Sequence, residues 1–134
     1  THCISSAASD VYKRQPNSRL TRPSAPARKY AYCSDTIYRP AIAEQIRNVD
    51  LLFHEATFAQ GEQARAKETY HTTAAQAAQL ALDANVKQLV IGHFSARYED
   101  ESILFNEASA IFPQTILAKE NLCIDVDGGT AYEK

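Results

Sequence analysis

Four short polar motifs, Ser34-Asp35-Thr36, His54-Glu55-Ala56-Thr57, His71-Thr72-Thr73-Ala74 and Gly92-His93-Phe94-Ser95, stand at the ends of apolar runs in a 134-residue chain. Glu55, His71 and His93 lie 20, 36 and 58 residues beyond Asp35, so only a fold that gathers successive loops can unite them. Carboxylates and neutral imidazoles are good zinc ligands, and a stable site takes three or four protein ligands. Asp35 and His93 are two such candidates, which leaves further ligands to be supplied from upstream. Each motif alone has a plainer reading. An Asp behind a strand is most often a turn former, a His after Gly is usually a hydrogen-bonded loop residue, and His71 borders a helix that Thr72 or Thr73 can cap. Taken jointly, the pattern favours a metal site. His54, inside its apolar run, reads as a packed, hydrogen-bonded residue and not as a ligand.

The elements that must position these residues are short and alternate in type. Tyr30-Ala31-Tyr32-Cys33 is an aromatic apolar stretch of strand length, and Asp35 falls just past its end. Its tyrosines, with Tyr38, read as core residues rather than base-stacking platforms. Pro40 suits a first helical turn, and Ile42, Ile46 and Val49 form one stripe below it. Leu51-Leu52-Phe53 predicts a buried strand that delivers His54 and Glu55. Residues 59–70 are polar and suit either a loop or a short exposed helix. An Ala-rich helix begins at Thr72 or Thr73, continues through Gln76, Leu80, Leu82 and Ala84, and stops near Asn85. Gln88-Leu89-Val90-Ile91 predicts a third strand, with a sharp turn at Gly92-His93. A helix led by Glu99-Asp100-Glu101 ends at Pro113. Thr115 to Ala118 and Leu122 to Val126 then form a hairpin or successive strands, and Gly128-Gly129 opens a loose tail. Alternating strands and helices imply an α/β layer, with Asp35, Glu55 and His93 at the carboxyl ends of strands where ligands gather.

Composition narrows the function. A net charge of -2 gives no electrostatic signature for nucleic acid, so a polyanionic substrate must be gripped locally. The basic residues Arg19, Arg22, Arg28 and Lys29 are sparse and suit a solvated linker. No run reaches the roughly 18 apolar residues of a membrane span, and no leader pattern is visible, so a cytoplasmic protein is expected. Cys3, Cys33 and Cys123 are odd in number and widely spaced, which suits reduced thiols. Residues 5–15, SSAASDVYKRQ, resemble a translated sequencing adapter, so residues 1–15 are expected to be disordered and extraneous to the fold. Residues 16–29, with three prolines, are expected to form an extended linker.

YAYCSDT, DLLFHEATF, YHTTAAQAA and LVIGHFSARY resemble, in order and in spacing, the C-terminal half of the ribonuclease Z family, tRNA 3'-processing endonucleases of the metallo-β-lactamase superfamily. The resemblance runs from Pro16 to Val126. It implies that residues 30–127 are the C-terminal half of an αββα sandwich, with residues 128–134 as a tail. It also implies a metal-dependent phosphodiester hydrolase that uses two zinc ions to remove 3' trailers from precursor tRNA, acting as a homodimer with no membrane association. The family's leading half carries a His-x-His-x-Asp-His motif and a further His ligand. Neither occurs in this chain, so it is expected to be inactive alone. By resemblance, Asp35 is the carboxylate bridging two zinc ions about 4 Å apart, and His93 completes the second ion's shell. His71 is the catalytic histidine that protonates the departing 3' oxygen, a task suited to a side chain that titrates near 6.5, and Glu55 orients it. Ser95 and Arg97, on the loop after the metal histidine, are expected to contact RNA phosphates, with Glu99 or Asp100 as alternative partners for Arg97. Two other readings stay open: a related phosphodiesterase for small substrates, and a non-catalytic α/β module whose motifs are only turns and caps.

Overall fold

In a computed structural model of the chain, the structure describes residues 21–126 and 131–133. The expectation for residues 1–15 lies outside them. Of the residues expected to form a linker, 21–29 carry no regular secondary structure and 16–20 lie outside the described residues. Four strands form one parallel sheet in sequence order: β1 (Tyr30–Cys33), β2 (Leu51–Glu55), β3 (Gln88–Gly92) and β4 (Thr115–Leu117). Parallel neighbours end on the same edge. The register places Cys33 beside His54, and Glu55 beside Gly92, so the chain leaves three adjacent strands within a few ångströms of one line. The motifs follow from that line.

Helices cover one face of this sheet. They are α1 (Ile42–Gln45), α2 (Gln63–Glu68), α3 (Ala74–Asp83) and α4 (Ser102–Ile111), with a 3-10 turn at Gln60–Glu62 before α2. The stripe Ile42, Ile46, Val49 is only partly helical: α1 is one turn, yet Ile46 and Val49 are both buried below it. The polar stretch at 59–70 resolves into the 3-10 turn and α2. α3 is the centre of the layer. Thr73 caps it with a capping box, its hydroxyl accepting from Gln76 N–H while the Gln76 side chain accepts from Thr73 N–H, a device worth about 1 kcal/mol. Its buried alanines Ala74, Ala77, Ala78 and Ala81 let it approach β2, β3 and α4 closely. Leu52, Leu80, Leu89, Ile91 and Leu104 fill the layer, each contributing about 2–3 kcal/mol of apolar burial. Asn85, at φ 50, ends the helix as expected.

The strand alternation settles which tyrosines are core. Ala31 and Cys33 face the helices, so Tyr30 and Tyr32 point to the opposite face and are exposed, contrary to the expectation of core. Tyr32 stacks on Phe53 there, with ring centroids 4.7 Å apart. Tyr38 packs against the core. On the opposite face Tyr30, Leu51, Phe53, Val90 and Leu122 line an apolar cavity of about 390 Å³. Burial raises the Cys33 thiol above its ordinary pKa, in keeping with a reduced, unreactive side chain.

The C-terminal strands correct two expectations. β4 joins the parallel sheet, whereas β5 (Leu122–Ile124) pairs antiparallel with β6 (Ala131–Glu133), so the hairpin is made with the chain end and not with β4. Residues 131–133, expected within a loose tail, supply its second strand. No helix among the described residues is long and apolar enough to cross a membrane.

Candidate metal and proton-transfer site

Three residues in the left-handed region aim the site: Asp35 (φ 47), Tyr70 (φ 61) and His93 (φ 59). Asp and His are among the residues found most often in this conformation, while a tyrosine there costs on the order of 1 kcal/mol. The cost falls where the chain must turn. Asp35 and His93 each stand just past a strand end, and Tyr70 reverses the chain so that His71 N–H donates to Ala66 O at 2.7 Å. Gly92, the last residue of β3, leaves room for its neighbours, since a Cβ there would meet the Phe53 ring at 2.9 Å and Ala118 Cβ at 3.1 Å.

Glu55 is the buried hub, with no exposed surface. Its Oε1 accepts from Thr36 N–H at 2.6 Å, and its Oε2 accepts from the Thr57 hydroxyl at 2.6 Å and from Thr72 N–H at 3.2 Å. His71 Nδ1 lies 3.1 Å from Oε2 and 3.2 Å from Oε1. These contacts clamp the loop after β1, the end of β2 and the entry to α3 to one carboxylate. Thr72 adds a hydroxyl donated to Thr36 O at 2.6 Å.

His71 therefore directs Nδ1 inward and keeps Nε2 for the cleft. Asp35, His71 and His93 each offer a ligand atom, and these atoms all lie within 4.8 Å of one another. Asp35 Oδ1 stands 3.3 Å from His93 Nε2, and its side chain is 72% exposed, free to accept a cation. One carboxylate and two imidazoles suit zinc or a similar borderline cation, so the donor set fits a metal. The grouping brings His71 to the same point as the two expected ligands. The His71 and His93 rings are 5.5 Å apart, and Phe58 meets His71 edge-on at 6.0 Å.

Ser95 is half-buried, its N–H donating to Thr57 O at 3.2 Å. Arg97 is exposed, lies 5.3 Å above the Phe58 ring and donates to Glu62 at 3.3 Å, so its partner is neither Glu99 nor Asp100. Beside His71, a cleft of about 380 Å³ is lined by Ile37, Tyr38, Gln63, Lys67 and Gln76. Sequence reasoning gave no role to two of the residues around the site. Lys67 sits on the cleft and Thr57 touches Glu55, His71 and His93 at once. The available signal for Thr57 was its place two residues beyond a strand-terminal glutamate.

His54 is buried, as its apolar setting predicts, and its Nδ1–H donates to Glu55 O at 2.7 Å. Burial lowers its pKa below the ordinary value. The native state then binds fewer protons than the unfolded chain, so stability is full above about pH 6.5 and falls as the pH drops through that value toward the depressed native pKa. Chemical denaturation of the chain at pH 7.5 and 5.5 is expected to show this loss, and His54→Asn, which keeps the N–H donor, is expected to shrink it. Equal pH sensitivity in the two proteins would assign the effect elsewhere.

The family profile described as "Beta-lactamase superfamily domain" matches residues 15–94. Over 115 residues the chain is 80% identical to ribonuclease Z of Bacteroides thetaiotaomicron, covering 86% of this chain and 36% of that protein. It thus spans about a third of the length of that curated relative. Among solved structures, the metallo-β-lactamase fold protein YhfI from Bacillus subtilis superposes with a TM-score of 0.61 at 22% identity, covering 76% of this chain and 38% of that one. Human tRNase Z, short form, superposes with a TM-score of 0.52 at 30% identity, covering 70% of this chain and 30% of that one.

Proposed function

The chain belongs to the β-lactamase superfamily, and from that premise we propose that it is the C-terminal part of a ribonuclease Z, a zinc-dependent endonuclease that removes 3' trailers from precursor tRNA. The observation that carries this reading is the convergence of Asp35, His71 and His93 over a buried Glu55, in a chain 80% identical to a ribonuclease Z. On the same reading the whole protein is a cytoplasmic homodimer, and the apolar sheet face around Phe53 and Val90 is covered by its other half.

Asp35 and His93 would hold metal. Bound zinc would supply Lewis-acid polarisation of the phosphodiester and an activated water. His71, oriented through Nδ1 by Glu55, would hold a proton at Nε2 for the departing 3' oxygen. Lys67 on the neighbouring cleft and Ser95 and Arg97 on the loop after His93 would meet RNA phosphates, Arg97 by releasing Glu62.

A chimaera carrying residues 16–134 in place of the matching part of the Bacteroides thetaiotaomicron ribonuclease Z tests the proposal. It is expected to bind zinc and to cleave a precursor tRNA in preference to a small chromogenic phosphodiester. The 134-residue chain alone, with Asp35, His71 and His93 its sole metal-ligand cluster among the described residues, is expected to show no cleavage. A chimaera that folds and loads zinc yet leaves the tRNA intact would overturn the assignment, and preference for the small substrate would move it to the phosphodiesterase reading.

A further inference from the structure

Thr57 has a proton to place and four neighbours competing for it. Its buried Oγ1 lies 2.6 Å from Glu55 Oε2, 3.0 Å from His93 O, 3.1 Å from His93 Nδ1 and 3.3 Å from His71 Nδ1. A hydroxyl carries one hydrogen and two lone pairs. The shortest contact, to a carboxylate, takes that hydrogen, because an ionised acceptor makes the stronger bond. His71 Nδ1 faces the same carboxylate and is a donor too. What Thr57 can still offer His93 Nδ1 is a lone pair, so that nitrogen must bear a hydrogen.

The consequence lies on the other side of the ring. An imidazole with hydrogen on Nδ1 has its free electron pair on Nε2, and His93 Nε2 faces Asp35 Oδ1 at 3.3 Å. Two electron-rich atoms at that distance favour a cation between them. With the opposite tautomer, Nε2–H would donate to Asp35 and close the site with an internal hydrogen bond. We infer that Thr57 is a positioning residue that fixes the tautomer of His93, presenting Nε2 beside Asp35 as a metal donor. It does so from the Glu55 carboxylate that also orients His71, so one buried pair sets both histidines. Its backbone holds the same loop, since Thr57 O accepts from Ser95 N–H.

The metal half of this inference rests on the function proposed above, but the tautomer does not, and the two are separable. In the metal-free 134-residue chain at pH 8, long-range 15N spectra are expected to show a protonated Nδ1 and an unprotonated Nε2 at His93. Thr57→Val removes the hydroxyl at constant shape and is expected to move the hydrogen to Nε2, while Thr57→Ser restores the original pattern. In the chimaera, zinc affinity measured by chelator competition is expected to fall about 10- to 100-fold for Thr57→Val and to recover with serine. A protonated Nε2 in the unmodified chain overturns the inference without any variant, whether or not Thr57→Val folds. An unchanged tautomer in a folded Thr57→Val also overturns it. Absence of zinc binding in the unmodified chimaera overturns the proposed function and leaves the tautomer result standing.

Discussion

Glu55→Gln is expected to lower the unfolding free energy of the chain by about 2–4 kcal/mol, a large loss for a change of one heavy atom. The side chain is fully buried and both of its oxygens are already engaged: Oε1 by Thr36 N–H, Oε2 by the Thr57 hydroxyl and Thr72 N–H. A glutamine presents one oxygen and one NH2 to that set. Whichever way the amide is turned, its NH2 group opposes a backbone N–H that cannot rotate away, at Thr36 or at Thr72. The variant therefore loses charge-assisted bonds and strands a buried donor, and each of those terms is worth about 1–3 kcal/mol. Urea denaturation measures the sum. Hydrogen exchange locates it, because the amides of Thr36 and Thr72 are expected to lose protection ahead of the α3 interior. A variant within about 0.5 kcal/mol of the parent chain would show that Glu55 is not the clamp described.

The clamp explains why four motifs spread over 58 residues were legible as one site while some of its members were not. Leu51-Leu52-Phe53 and Gln88-Leu89-Val90-Ile91 are apolar without alternation, a pattern that means burial on both faces and hence a parallel sheet, which put Glu55 and His93 on one edge. A cap at Thr72 or Thr73 was visible from the Ala-rich run behind them, and the structure selects Thr73 through its bonds to Gln76. The orientation of β1 was not visible. Tyr-Ala-Tyr-Cys alternates, but nothing local says which of the two sets meets the helices. The small pair Ala31 and Cys33 faces them, leaving the tyrosines on the open face. Arg97 shows the same limit, since its partner Glu62 lies 35 positions away in the 3-10 turn before α2, beyond any neighbour-based pairing. Thr57 is the sharpest case. A threonine after a strand is an ordinary residue until Glu55, His71 and His93 are brought around it, which takes the β2–β3 register for Glu55 and His93 and the chain reversal at Tyr70 for His71.

His71→Ala in the chimaera is expected to reduce precursor-tRNA cleavage by about 10²- to 10⁴-fold, the usual range for a lost general acid. The geometry allows a competing role, because His71 shares a 4.8 Å cluster with Asp35 and His93 and could itself be a ligand. Two measurements separate the roles. If His71 delivers a proton, the variant keeps its zinc, and the defect depends on the leaving group. Expulsion of a ribose 3' oxygen needs protonation, whereas a nitrophenolate leaves without it, so the loss on a nitrophenyl phosphodiester is expected to stay under about tenfold. If His71 is instead a ligand, zinc content falls and both substrates suffer alike. A buried carboxylate 3.1 Å from Nδ1 serves either role, since it turns Nε2 equally toward a metal or toward a leaving group, so zinc content and leaving-group dependence decide between them. Equal losses on the two substrates, with zinc retained, would remove His71 from proton delivery and leave it as a support for the cleft wall.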